Sequence, residues 1–246
     1  MKPAIVTVGN FDGVHLGHQM LLHQVVDRAR ALSLRSFAVT FDPHPEQVLF
    51  PERKLTQLST SSERCELMCD CGIDEVWVCP FTSELSRLEP EDFIRLVIER
   101  QPIGELWVGA DFAMGRGRRG TIGVLAEIGT HLGWGLHMVP PYRLEDQVVS
   151  STAIRTLLGA GAVRGAADLL GRNYSVPGAL SSDSVLCADA LRALPRPGLT
   201  YETQVHQHGH IVVCRAQVLG EGRIQLIDAQ GTQPGEATLE FTRRLD

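Results

Sequence analysis

Ala4-Ile5-Val6-Thr7-Val8-Gly9-Asn10-Phe11-Asp12-Gly13-Val14-His15-Leu16-Gly17-His18 is the stretch that decides the fold. Ala4 to Val8 is a short apolar run stopped by Gly9, which fits a strand buried in a parallel sheet. Past the turn, Met20, Leu21, Leu22, Val25, Val26 and Ala29 recur at helical spacing between Leu16 and Leu32. The chain therefore opens as strand, glycine turn and helix.

The same alternation continues outward. Ser36 to Phe41 reads as a second strand, and Ser61 to Cys71 as a helix capped by Ser61 or Ser62 and stopped by Gly72. Glu75 to Cys79 is a third strand. Glu89-Pro90-Glu91 opens a helix that runs to Gln101, with proline in its first turn and acids at the positive end of the dipole. Glu105 to Val108, a helix over Thr121 to His131, and Leu136 to Val139 complete the pattern. Strands alternating with helices predict an α/β fold with a doubly wound parallel sheet, whose ligands lie where the strand order reverses. Two short helices follow, over Ser150–Leu158 and Val163–Leu170. After Gly171, Pro177, Gly178, Pro195, Pro197 and Gly198 punctuate the chain. Thr200–His206, Ile211–Val218, Arg223–Ile227 and Ala237–Phe241 read as strands of a small C-terminal β-domain. The expected division is residues 1–174 and 175–246.

Composition bounds the function classes. A length of 246 residues with 43% hydrophobic and 21% charged residues is enough for a full core without staples. A net charge of -6 argues against bulk nucleic-acid binding, which needs a basic surface. No secretory leader or membrane-length apolar run is legible, so the cytoplasm is the expected compartment and the six cysteines are expected to be free thiols. Cys65, Cys69 and Cys71 lack zinc-type spacing and read as packed helix thiols. His206, His208 and His210 alternate along an expected strand, so they would project from one face. No residue is assigned as a metal ligand.

Several motifs carry chemistry. The glycine turn at Gly9, Asn10, Phe11 and Asp12 lets backbone approach a ligand, and the helix start at His15, Gly17 and His18 offers N–H groups to phosphate. His15 and His18 share a face and can donate to a triphosphate as charge moves onto the leaving pyrophosphate. Thr40-Phe41-Asp42-Pro43-His44-Pro45 is a rigid, aromatic-edged loop fit to line a ring pocket, or a stiff connector. Gly115-Arg116-Gly117-Arg118-Arg119-Gly120 spells a dinucleotide fingerprint, but its place after the fourth strand and its arginines exclude that reading. Ser150, Ser151 and Thr152 at a helix start offer hydroxyls and N–H groups to an anion, with Arg155 one turn on to neutralise phosphoryl charge.

His15-Leu16-Gly17-His18 resembles the H-x-G-H element of the nucleotidyltransferase superfamily. The longer string resembles the first motif of bacterial FAD synthetase, the N-terminal module of the bifunctional riboflavin kinase/FMN adenylyltransferases. Thr40–Pro45, Val108-Gly109-Ala110-Asp111-Phe112-Ala113-Met114-Gly115 with Arg118 and Gly120, and Ser150–Arg155 agree with that family in the same order. The resemblance covers residues 4–174 and implies a Rossmann-like sheet of nucleotidyltransferase type. It implies ATP contacts at Gly9, Asn10, Phe11, Asp12, Gly17, Asp111, Ser150, Ser151 and Thr152. Flavin contacts fall at Phe41, Pro43, His44, Phe112 and Arg118, and catalytic roles at His15, His18 and Arg155. Arg116 and Arg119 belong to a solvated loop. The family often has arginine where this chain has Ala153.

The implied reaction joins AMP from ATP to FMN, giving FAD and pyrophosphate, with Mg²⁺ carried on the ATP. Substrates are then small molecules, with no nucleic-acid or membrane partner. The kinase element Gly-x-Pro-Thr-Ala-Asn is absent from the sequence, so the tail is expected to be a shrunken, kinase-dead barrel. Two other readings stay open: a nucleotidyltransferase acting on another phosphorylated acceptor, and a catalytically silent flavin- or nucleotide-binding regulator.

Overall fold

The computed structural model describes residues 1–246, which form two compact units. The first comprises Met1–Leu55 and Ser61–Arg143, the second Thr56–Thr60 and Leu144–Asp246. No helix is long and apolar enough to cross a membrane.

In the first unit, strands and helices alternate as β1 (Ala4–Val8), α1 (Leu16–Ala31), β2 (Arg35–Asp42), α2 (Pro45–Leu49), α3 (Ser61–Asp70), β3 (Glu75–Pro80), α4 (Pro90–Arg100), β4 (Ile103–Gly109), α5 (Ile122–Leu132) and β5 (Gly135–Val139). The sheet order is β3-β2-β1-β4-β5, and every neighbouring pair is parallel. Side chains alternate between its faces, as the pleat requires. Ala4, Val6, Val8, Phe37 and Val39 enter the core with Phe93, Ile94 and Val97 of α4 and Leu125 and Ile128 of α5. Ile5 and Ala38 enter the opposite core with Leu22, Val25 and Val26 of α1 and Met68 of α3. Burial on both faces explains the near-continuous apolar run of β1. This is the Rossmann-like doubly wound arrangement expected from the sequence.

A two-residue-per-strand hairpin, β6 (Arg143–Leu144) and β7 (Gln147–Val148), comes next in the chain. The second unit holds α6 (Ser151–Gly159), α7 (Val163–Leu170), β8 (Tyr174–Leu180), β9 (Val185–Ala188), β10 (Thr200–Gln207), β11 (His210–Gly220), β12 (Arg223–Ile227) and β13 (Gly235–Arg244). The six strands close into a barrel in the order β10-β11-β12-β9-β8-β13, all pairs antiparallel. Tyr201, Thr203 and Val205 of β10 and Ala237, Leu239 and Phe241 of β13 alternate inward.

The division between units falls at residues 143 and 144, whereas the sequence pattern turns to strands only near residue 174. The reason is α7, which packs on β8 and β13 and buries Val163, Ala166, Leu169 and Leu170. Thr56–Thr60 joins this unit because Gln57 N–H donates to Leu191 O at 2.7 Å and Ala193 N–H donates to Gln57 O at 2.8 Å.

Two barrel strands differ from expectation. Pro177 and Gly178 read as punctuation but lie within β8, opposite Thr238 and Ala237. Gly178 is there because β9 comes close: a β-carbon would sit 2.5 Å from Cys187 O. Gly178→Ala is therefore expected to cost about 1–3 kcal/mol by forcing β8 and β9 apart. A lowered urea midpoint checks this, and an unchanged one would show that the strands can give way.

Candidate functional site

The sheet order reverses between β1 and β4, so the loops leaving their carboxyl ends flank the crevice where doubly wound sheets bind ligands. Three of the motifs emerge at that edge, after β1, after β2 and after β4.

The loop after β1 is held in an unusual conformation. Phe11, Gly13 and Val14 adopt φ of 50°, 78° and 37°. Positive φ costs a β-branched residue such as Val14 on the order of 1–3 kcal/mol, so the surroundings must impose it. They do so with buried side chains and specific bonds. Phe11, Asp12 and Val14 are buried, Val14 N–H donates to Phe11 O at 3.0 Å, and Gln19 Nε2 donates to Val14 O at 2.8 Å. Thr40 Oγ1, reaching from β2, donates to Asn10 O at 3.0 Å.

His15 caps α1, and its Nδ1 accepts from His18 N–H at 3.3 Å. A neutral imidazole accepting at Nδ1 carries its proton on Nε2. The His18 ring stacks on that of His15, with centroids 3.6 Å apart and planes at 17°. Its other side meets Phe11 edge-on at 5.2 Å. His18 Nδ1 is buried without a hydrogen-bond partner. Burial, and secondarily the neighbouring His15, holds the His18 pKa well below the ordinary imidazole value. Gly17 fits between them for a steric reason: a β-carbon there would lie 3.3 Å from the His15 ring.

The other two loops use the expected residues unevenly. The ring of Phe41 is in the core, edge-on to Phe81 at 5.5 Å and tilted against Phe93 at 6.1 Å. Pro43 is exposed after the cis Asp42–Pro43 peptide. His44 is buried and caps α2, with Nδ1 accepting from Glu46 N–H at 3.2 Å and its own N–H donating to Gln47 Oε1. After β4, Asp111 is exposed and Phe112 packs partly against the core. Arg118 Nη2 donates to Asp111 O at 3.0 Å, which ties the loop to itself. Arg116 and Arg119 pair with Glu89 at 3.7 and 3.2 Å on the surface.

Sequence reading passed over Arg64 on α3. Its side chain is fully buried, with Nη1 donating to Asn10 O at 3.3 Å and Nη2 to Phe41 O at 2.8 Å. Burial lowers its pKa, and Asp12 and Asp42 oppose that shift. One signal was available: Arg64 stands four residues before buried Met68, on the inward stripe of the helix.

The fourth motif belongs to the second unit. Ser150 caps α6, its Oγ accepting from Ala153 N–H at 3.2 Å. Thr152 is exposed, and Ser151 and Arg155 are half-buried on the first turns. The histidine triplet does not lie along one strand. β10 ends at Gln207, His208 and Gly209 form a turn with φ of 50° and 77°, and His210 begins β11 opposite Gln207. Positive φ at both central residues is what a tight hairpin demands. His206 Nε2 lies 3.3 Å from Glu240. Cys69 is exposed on α3, whereas Cys65 is half-buried.

The profile of the FAD synthetase family matches residues 1–153. The chain is 32% identical over 178 residues to the bifunctional riboflavin kinase/FMN adenylyltransferase of Pseudomonas fluorescens, covering 72% of this chain and 57% of that protein. It is 29% identical over 175 residues to the Escherichia coli K12 protein of the same name, covering 71% and 56% respectively. The chain thus spans about half the length of these curated relatives. Among solved structures, one described as a macrolide-efflux protein from Streptococcus pneumoniae superposes with a TM-score of 0.86 at 23% identity, covering 100% of this chain and 86% of that one. That likeness concerns the fold alone.

Proposed function

The chain belongs to the FAD synthetase family, and from that premise we propose that it transfers AMP from ATP to FMN, giving FAD and pyrophosphate. The observation that carries this reading is the stacked His15–His18 pair at the mouth of α1, beside the crevice where the strand order reverses.

In the proposed reaction an FMN phosphate oxygen forms the new bond to the α-phosphorus of ATP. The bond from that phosphorus to the bridging oxygen breaks, and its electrons leave with pyrophosphate. The nucleophile is already ionised at neutral pH, so the protein needs alignment and charge stabilisation rather than a strong base. His15 and His18 act together on the phosphates. The backbone of Gly9, Asn10, Phe11 and Asp12 and the space left by Gly17 admit the nucleotide, with Asp111 as a further contact. Ser150, Ser151 and Thr152 at the start of α6 offer anion donors, and Arg155 balances phosphoryl charge. Pro43, His44, Phe112 and Arg118 take the flavin side, with Phe41 anchoring that loop from the core. Mg²⁺ arrives as part of the substrate, on phosphate oxygens. No group of three or more His, Cys, Asp or Glu side chains is arranged to hold a cation. The barrel is proposed to lack riboflavin kinase activity, since Gly-x-Pro-Thr-Ala-Asn is missing.

Incubation with ATP, Mg²⁺ and either FMN or riboflavin tests the proposal. FAD and pyrophosphate from FMN support it. FMN formed from riboflavin would overturn the reading of the barrel, and no product from either would sink the enzyme reading.

The histidine geometry adds a linkage prediction. His18 starts neutral because burial and His15 hold its pKa down, and a bound polyanion favours its charged form. ATP binding near pH 6 is therefore expected to take up a proton, by up to about one equivalent. Calorimetry in buffers of different ionisation enthalpy measures the uptake, which should vanish in His18→Asn. Proton release on binding would contradict this assignment.

A further inference from the structure

We propose that Arg64 is a positioning residue, locking the loops after β1 and β2 in one register through Asn10 O and Phe41 O. The inference rests on the proposed reaction, because it assigns the ATP phosphates to one of those loops and the acceptor to the other.

The case begins with burial. A guanidinium removed from water is costly unless its donors and charge are matched. Arg64 has 0% exposure, and its Nε has no hydrogen-bond partner. Asp12 on the loop after β1 and Asp42 at the end of β2 favour its charged form, although burial outweighs them. For stability alone, an apolar side chain of similar volume does as well or better at such a place. The guanidinium offers what methionine cannot, a rigid fork whose two arms reach carbonyls on two loops. The same helix grips the second loop again, where Ser61 Oγ donates to Asp42 Oδ2 at 3.2 Å. Asn10 O also accepts from Thr40 Oγ1, so one carbonyl receives donors from both α3 and β2.

In-line transfer is sensitive to alignment, and a displacement of about 1 Å can cost about 100-fold in rate. Asn10 lies five residues before the His15 cap, and Phe41 three before His44. A slack brace therefore moves the phosphate-binding loop against the acceptor loop without touching either ligand.

The test uses Arg64→Lys, which keeps the charge and loses the fork, and Thr40→Val, which removes the second donor to Asn10 O at constant volume. Val97→Ala, on α4 in the core cluster opposite the one that holds Met68 of α3, serves as the stability control. Arg64→Lys is expected to lower kcat/KM about tenfold or more, mostly in kcat. Thr40→Val is expected to give a smaller loss, and the double variant less than the product of the two. Val97→Ala, at an equal or larger loss in Tm, should leave kcat near wild type. Wild-type kinetics in Arg64→Lys, or strict additivity of the pair, would overturn the brace. So would a kinetic loss in Val97→Ala equal to that in Arg64→Lys at matched Tm. Should Arg64→Lys fail to fold, Thr40→Val decides alone, and wild-type kinetics there would count against the proposal. ATP affinity by calorimetry is read in parallel. If wild-type protein binds ATP but makes no FAD, the reaction assignment has failed, and the brace is then judged on whether both variants weaken ATP binding.

Discussion

Replacing His18 with alanine is expected to cut turnover about 100- to 1,000-fold, the loss typical of removing one preorganised donor to a developing anion. The protein should stay folded. His18 is only half-buried, its Nδ1 has no hydrogen-bond partner, and alanine is the best helix former. The variant gives up the stack on His15 and the edge contact with Phe11, about 0.5–1.5 kcal/mol per ring pair. It also removes an imidazole whose charged form is disfavoured, so acidification should destabilise the variant less than the parent. The sign follows from the depressed pKa: the unfolded chain takes the proton first as pH falls below the ordinary imidazole value, and stability drops there. FAD formation at saturating ATP and FMN, with Tm as the control, measures the effect. Turnover near wild type would remove His18 from the chemistry.

The largest expected stability loss is Phe241→Ala in β13. Phe241 has 0% exposure, pairs with Tyr174 of β8 and Thr203 of β10, and meets the Tyr201 ring edge-on at 5.4 Å. Emptying such a site costs about 3–5 kcal/mol, a large share of the roughly 5–15 kcal/mol that holds an ordinary domain together. Cys214, buried on β11, supplies the readout. In the variant its thiol should react with a disulfide reagent at a urea concentration where the parent's is protected. Equal protection in both would show that the ring does not support the barrel.

The two units were unequally legible. The opening strand, glycine turn and helix could be read because burial on both faces makes β1 apolar at every position but Thr7, while α1 shows a different period. The order of the motifs located the edge of the sheet. Barrel strands β8 and β9 escaped because Pro177 and Gly178 normally end strands, and Val185–Ala188 is too short to show a period. The turn at His208 and Gly209 was hidden for the opposite reason: alternating histidines imitate a strand across a hairpin. In the candidate site, residue types were visible but not whether each acts through its backbone or its side chain. Phe41 has its ring in the core and its carbonyl on Arg64. His44 uses Nδ1 to cap α2. Arg64 offered only its place four residues before Met68, because long-range carbonyl partners leave no local trace.

Closure of the six-stranded barrel bears on how the second unit meets other molecules. Every strand is flanked on both sides for part of its length, so backbone left without a ladder partner is confined to short overhangs such as residues 174–177 of β8 and 210–214 of β11. Strand addition by a foreign peptide or a sister chain has only those overhangs to grip, so side chains and turns offer most of the surface through which this unit can be recognised.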